Sequence, residues 1–115
     1  MAPVADPGRL SGPVVVALPA EIDAANAPDV GLQLCSAFAP GVTIVIADLT
    51  STVFCASSGM GQLVLAHHCA VAHDAQLRLV VPHDRVLGVL KVTGLDRLLL
   101  VYRSLAAALA GGSPV

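Results

Sequence analysis

Two adjacent serines followed by two glycines are the residues of this sequence best suited to chemistry. The run reads Cys55-Ala56-Ser57-Ser58-Gly59-Met60-Gly61 and leads into a long apolar stretch, which predicts the start of a helix. One serine can cap that helix. Two hydroxyls beside two glycines exceed what capping requires, because glycine within a helix costs about 1 kcal/mol relative to alanine. A phosphate on such a hydroxyl would be stabilised by the free amides and the dipole of the helix start.

The glycines are expected to leave room beside the hydroxyls, so that a bulky group can approach the backbone at Ser57 and Ser58. Known catalytic patterns are missing here: Ser58 has no G-x-S-x-G context, and the chain has no Walker A or G-x-G-x-x-G sequence. A hydrolase that uses Ser58 would also lack a base at a recognisable spacing. We therefore expect a binding or modification site, not an enzyme.

Cys55 stands next to the serines and has two interpretations. It is a candidate for a reactive or redox-sensing thiol. Its apolar neighbours Val53, Phe54 and Ala56 favour a small filler in a buried loop instead.

Histidines and a cysteine in the following helix do not form a predicted metal site. His67 and His68 are adjacent, and adjacent helical side chains point about 100° apart, so they cannot hold one metal together. Cys69 and His73 do not complete a set of zinc ligands. The sequence predicts no metal and no cofactor.

The elements that must position these residues alternate between strands and helices. Strands are predicted over Val14–Leu18, Val42–Leu49, Gln76–Val81 and Leu98–Tyr102, and helices over Asn26–Phe38, Ser58–His73, Arg85–Val92 and Leu105–Ala110. Asn26, Asp84 and Ser104 are the predicted caps of three of the helices. This alternation predicts a small α/β domain with a mostly parallel central sheet of four to five strands and helices packed on it.

One such domain is expected to span residues 14–110 of the 115. Residues 1–13 are predicted to form a flexible N-terminal tail, with a short edge strand near Arg9 and Leu10, and residues 111–115 a C-terminal tail that Gly111 and Gly112 free from the domain.

Composition limits the classes of partner. Charged residues make up 12% of the chain and hydrophobic residues 56%, which indicates a surface poor in charge, as in domains that bind another protein. A net charge of -2, scattered basic residues and few aromatics argue against nucleic acid. Three cysteines without a C-x-x-C pair do not indicate a disulfide framework, and they suit a reducing cytoplasm. No apolar run is long enough for a membrane helix.

Four motifs resemble those of one family, the STAS domain, and within it the anti-sigma-factor antagonists of bacteria. The resemblance covers Val14 to Ala110. The central motif of the family is a strand that ends in Asp-Leu, followed further along by Asp-Ser-Ser-Gly-Leu-Gly. It corresponds here to Asp48-Leu49 and to Ala56-Ser57-Ser58-Gly59-Met60-Gly61. The other three correspond to Glu21-Ile22-Asp23, Ala27-Pro28-Asp29 and Val89-Leu90-Lys91-Val92-Thr93-Gly94-Leu95-Asp96.

The resemblance implies a non-catalytic cytoplasmic domain, a monomer or weak homodimer, that binds an anti-sigma factor of serine-kinase type and so releases a sigma factor. It implies that the kinase phosphorylates Ser58 to end the complex, and that Asp23 lies beside this serine. The partner surface would comprise Asp23 and the run from Ala56 to Gly61. Ala56 departs from the family, which has aspartate there. Three alternatives therefore remain: a binding module without phosphorylation, a module regulated through Cys55, and a module that binds a nucleotide.

Overall fold

The structure is a computed structural model that describes residues 12–115. Most of the predicted N-terminal tail and the predicted edge strand near Arg9 and Leu10 lie outside these residues.

Parallel strands form both sheets of the described chain. The strands are β1 Val14–Ala17, β2 Glu21–Ile22, β3 Ile44–Asp48, β4 Phe54–Cys55, β5 Gln76–Val80 and β6 Leu100–Tyr102. The main sheet has the order β1-β3-β5-β6, and β2 pairs with β4 in a separate sheet of two strands. The main strands are short β-branched and leucine-rich runs, as expected for strands covered on both faces.

Helices connect the strands, as parallel pairing requires. They are α1 Ala27–Ser36, α2 Ser57–Ala72, α3 Asp84–Thr93, α4 Leu95–Leu98 and α5 Leu105–Ala110. None of the helices between residues 12 and 115 has the length and apolar character needed to cross a bilayer.

The core has a large and a small layer because side chains alternate across the main sheet. Val45 and Ala47 of β3 face the larger layer, which the apolar sides of α1, α2 and α3 complete. Ile46, on the same strand, faces the smaller layer, which also contains Tyr102 of β6 and Ala108 of α5. These features confirm the predicted small α/β domain with a parallel sheet and packed helices.

Several predicted boundaries were wrong. The strand predicted from Val42 begins at Ile44, and the strand predicted from Leu98 begins at Leu100, because Leu95–Leu98 forms α4. The helix predicted to reach Phe38 ends at Ser36. The strands β2 and β4 were not predicted, since two residues are too short to show a period.

One of the three predicted caps was wrong in position, and one of the other two makes no capping hydrogen bond. Asn26 occupies the N-cap of α1, but its side-chain oxygen accepts from the backbone N–H of Asp23 at 2.9 Å and not from the helix. Asp84 is the first residue of α3, whose N-cap is His83. Ser104 caps α5 as predicted, since its hydroxyl accepts from the backbone N–H of Ala107 at 3.1 Å.

The structure contains a disulfide, although the sequence indicated no disulfide framework. Cys35 of α1 and Cys69 of α2 form a disulfide across a sequence separation of 34, with their Cα atoms 5.7 Å apart. Parallel βα units place the two helices side by side, and this proximity has no short-range signature in the sequence. Cys55 is the free cysteine, and it is buried.

The C-terminal residues are attached to the domain, which corrects the prediction that two glycines free them. The hydroxyl of Tyr102 donates to the backbone oxygen of Gly112 at 2.9 Å. The backbone N–H of Val115 donates to the backbone oxygen of Val101 at 2.7 Å.

Candidate functional site

The small sheet brings the two halves of the predicted site together. β2 and β4 pair with Ile22 opposite Cys55, and the backbone N–H of Ala56 donates to the oxygen of Ile22 at 2.8 Å. Asp23 follows Ile22 directly, and Ser57 follows Ala56. The acidic turn and the start of α2 therefore lie next to each other at one end of the small sheet.

Asp23 organises the turn between β2 and α1. Its Oδ1 accepts from the backbone N–H groups of Ala25 at 2.9 Å and Asn26 at 3.2 Å, and the Nδ2 of Asn26 donates to the backbone oxygen of Glu21 at 2.8 Å. The Asp23 side chain is exposed. This carboxylate thus lies in a fixed turn and faces solvent beside the start of α2.

The first turn of α2 has no side-chain cap. Ala56 is the N-cap residue, with the extended backbone angles φ -72° and ψ 167°, and Ser57 and Ser58 are the first two helical residues. The serine that was predicted to cap the helix is thus already inside it. The N–H groups of this first turn have no partner within the helix.

The two hydroxyls differ in exposure but share a lack of partners. Ser57 is exposed and Ser58 is half-buried. Within residues 12–115 neither hydroxyl makes a hydrogen bond. Free hydroxyls and free amides therefore lie together at the positive end of the 16-residue α2, which has no Asp, Glu, Lys or Arg.

Gly59 and Gly61 have different roles, although the sequence suggested that both leave room beside the hydroxyls. A Cβ on Gly59 would lie 2.6 Å from Cγ2 of Ile22 and 2.7 Å from Sγ of Cys55, so Gly59 allows α2 to pack against the small sheet. A Cβ on Gly61 would meet nothing within 4 Å, and Gly61 is exposed. Only Gly61 leaves open space for an approaching group.

Met60 and Cys55 lie beneath the surface of the site. Met60 is buried in the core, so it supports the first turn from below. Burial raises the pKa of the Cys55 thiol from 9.0 to about 11. Such a thiol is almost wholly protonated at neutral pH, which favours its interpretation as a filler over that of a redox sensor.

Sequence reasoning missed Thr52, which joins the two loops on either side of the site. Its hydroxyl donates to the backbone oxygen of Pro19 at 2.8 Å, and its side chain is buried. Thr52 is the third residue of a Thr-Ser-Thr run, so nothing in the local sequence distinguishes it from the other two. Nearby, the Nε2 of His83 donates to the backbone oxygen of Thr50 at 2.7 Å.

Solved structures with this fold include several anti-sigma factor antagonists. The chain is similar to one from Mycobacterium paratuberculosis, at 25% identity and a TM-score of 0.71, with 86% of this chain and 84% of the other covered. It is also similar to unphosphorylated SpoIIAA, at 22% identity and a TM-score of 0.69, over 85% and 86% of the two chains.

The phosphorylated form of the Bacillus protein SpoIIAA is a further neighbour, at 22% identity and a TM-score of 0.62, over 85% and 89% of the two chains. No curated protein sequence matches the chain significantly. The family model for the STAS domain matches residues 6–108. Since this match spans most of the sequence, and since the motifs and the fold agree with it, the chain belongs to the STAS domain family.

Proposed function

We propose that this protein is a cytoplasmic anti-sigma factor antagonist that binds a kinase-type anti-sigma factor and so releases a sigma factor. The observation that supports this most directly is the first turn of α2, which has no side-chain cap and where the hydroxyls of Ser57 and Ser58 make no hydrogen bond within residues 12–115. The structural neighbours of this STAS domain include anti-sigma factor antagonists, and we infer no catalytic role for Ser58.

The proposed partner surface comprises Asp23, Ala56, Ser57, Ser58 and Gly61. These residues are exposed or half-buried and lie at one end of the small sheet. Met60 is buried and Gly59 packs inward, so both shape this surface from below. Most side chains of this surface are small and the surface is nearly neutral, so a partner can approach the backbone of α2 closely.

Phosphorylation at Ser58 is proposed as the signal that ends the complex. A phosphate would add a charge of about -1.5 to -2 at a helix start, where the free amides and the dipole stabilise it within the domain. The partner surface would then contain a negative charge that repels like charges on the partner or must lose its hydration when the complex forms. The fold is expected to survive the modification while the complex does not.

Ala56 favours a second form of the proposal, in which the complex forms without regulation by phosphate. Aspartate in this position of the family would contribute a carboxylate beside the acceptor, and Ala56 contributes none. Asp23 is the nearest acidic residue along the paired strands. Incubation with ATP and the captured partner, followed by mass spectrometry of Ser58, separates the two forms.

The proposal is tested by capture of partners from the native cell with wild type and with Ser58→Glu. Ser113→Glu, at an exposed serine of the C-terminal segment, is the matched control for added charge. We expect wild type and Ser113→Glu to retain a protein of serine-kinase fold, and Ser58→Glu to bind it about tenfold or more weakly. Equal capture by all three, or capture of no such protein, would contradict the proposal.

A further inference from the structure

We propose that Cys35 and Cys69 are a reversible redox pair whose disulfide holds α1 against α2 and thereby orders the two helix starts that form the candidate site. In the sequence, Cys55 was the candidate redox thiol, although its apolar neighbours favoured a buried filler. The structure points to the other two cysteines, because they meet each other and are half-buried, whereas Cys55 is buried and alone.

The geometry of the pair suits a bond that can form and break in the folded protein. The Cα atoms are 5.7 Å apart, inside the range of about 4.4–6.8 Å that disulfides adopt. Both residues are part of continuous helices, so neither must unfold for the sulfurs to meet. Their partial exposure gives a small thiol or disulfide access to the sulfurs.

The surroundings of the disulfide join the same two helices. A Cβ on Gly31 would overlap the side-chain amide of Gln62, so α1 and α2 are in close contact one turn before Cys35. Beyond the disulfide, the ring of Phe38 stacks on that of His73 with centroids 6.1 Å apart. The Nδ1 of His73 donates to the backbone oxygen of Cys69 at 2.8 Å, which fixes the ring at the end of α2.

The disulfide links to the site through the helices themselves. α1 begins at Ala27, whose N–H donates to the backbone oxygen of Asp23 at 2.8 Å, and α2 begins at Ser57. At 1.5 Å per residue, the bond lies about 12 Å from the start of α1 and about 18 Å from the start of α2. A crosslink between helices limits how far one can shift or tilt against the other. Its loss should therefore increase motion at both helix starts.

The reversibility follows from the proposed cytoplasmic location. Disulfides in a reducing compartment are usually transient or redox-sensing rather than permanent supports. The larger core layer also does not depend on the bond, since α1 and α2 each contribute buried residues to it. The reduced protein is thus expected to stay folded.

The chemistry is thiol–disulfide exchange with a low-molecular-weight disulfide. One cysteine thiolate attacks that disulfide, forms a mixed disulfide and releases one small thiolate, which takes up a proton. The second cysteine thiolate then attacks the protein sulfur of the mixed disulfide and releases the other small thiol. Two cysteine sulfurs are oxidised by two electrons in total, and the small disulfide is reduced to two thiols.

The first experiment needs no partner. The full chain is equilibrated with oxidised glutathione or with a dithiol reductant, denatured and alkylated, and hydrogen exchange is measured on the native protein in both states. We expect one alkylated cysteine, Cys55, after oxidation and three after reduction. Amides of α1 and of the first turn of α2 should exchange faster after reduction.

Variants assign the effect to the pair. Cys35→Ser and Cys69→Ser should each abolish the difference in exchange between the two conditions, whereas Cys55→Ala should retain it. Three alkylated cysteines under the oxidant, or equal exchange at the helix starts in both states, would overturn the proposal.

A second measurement connects the pair to the site and rests on the proposed function. The affinity for the captured anti-sigma factor is compared between oxidised and reduced protein, and we expect the oxidised form to bind about threefold or more tightly because its surface is preorganised. Equal affinities would overturn the link to the site and leave the proposed function intact. Capture of no partner would reject the proposed function, while the thiol count and the exchange data still decide on the redox pair.

Discussion

The hydroxyl of Thr52 donates to the backbone oxygen of Pro19 at 2.8 Å across 33 positions of sequence. The side chain of Thr52 is fully buried, so its hydroxyl is removed from water and is satisfied by the carbonyl of Pro19, which is an exposed residue. Pro19 belongs to the loop that leads to Asp23, and Thr52 to the loop that leads to Ser57. A single hydrogen bond with a buried donor therefore ties together the two loops that position the site.

Loss of this bond is predicted to destabilise the protein. Thr52→Val keeps the shape of the side chain but removes the hydrogen bond to Pro19, so we expect a loss of about 0.5–1.5 kcal/mol in the free energy of unfolding. Urea denaturation measures this. Thr52→Ser, which keeps the hydroxyl, is the control and should lose less. A Thr52→Val protein as stable as wild type would show that the bond contributes nothing.

Gly59 is predicted to tolerate no side chain. Gly59→Ala places a methyl group 2.6 Å from Cγ2 of Ile22, which forces the start of α2 away from the small sheet. Overpacking of this kind costs about 1–3 kcal/mol, which thermal or urea unfolding would detect.

Gly61 provides the matched control for this substitution. It lies in the same helix with open space at its Cβ position, so Gly61→Ala should stabilise the protein by up to about 1 kcal/mol through helix propensity. If both variants changed stability in the same direction, packing at Gly59 would not be the cause.

The contrast between these glycines shows where sequence reasoning succeeds and where it ends. The apolar runs of the main strands and the period of the helices predict the α/β fold, since burial on both sheet faces leaves a direct signal. The helix start at Ser57 also has a local signal. Whether Gly59 or Gly61 faces the small sheet depends on the pairing of Ile22 with Cys55, which no local pattern contains. The disulfide was missed for the same reason.

Cys55 is predicted to make stability fall at alkaline pH. Its pKa is raised from 9.0 to about 11 in the folded protein because burial disfavours the thiolate. Below pH 9 the thiol is protonated in both states and the folded protein keeps its full stability. Between pH 9 and pH 11 the unfolded state ionises first, so about 2–3 kcal/mol of stability is lost.

Cys55→Ala separates this effect from other groups that titrate in the same range. Urea unfolding gives the free energy of unfolding of both proteins near neutral pH and at alkaline pH. As the pH rises, the advantage of wild type over the variant in this free energy should narrow or reverse. Alkylation of native wild type near pH 8 should label Cys55 at least about 100-fold more slowly than a free thiol. A difference between the two proteins that is constant with pH would contradict the raised pKa.

Ala56→Asp is predicted to stabilise α2 and to add the carboxylate that the family has in this position. Ala56 has the extended backbone of an N-cap residue, and the N–H groups of Ser58 and Gly59 lie at the second and third helical positions, where a cap side chain accepts hydrogen bonds. We expect the free energy of unfolding to rise by about 0.5–2 kcal/mol, measured by urea denaturation.

Ala56→Asn separates the hydrogen bond from the charge. Both variants should gain stability from the cap, and Asp should gain slightly more because its charge faces the positive end of the α2 dipole. If Ser58 is phosphorylated, the order should reverse in the modified proteins, since a carboxylate at position 56 repels the phosphate and competes with it for the same free amides. An Asp variant that is stabilised by phosphorylation as much as the Asn variant would show that the phosphate does not use the amides of the first turn.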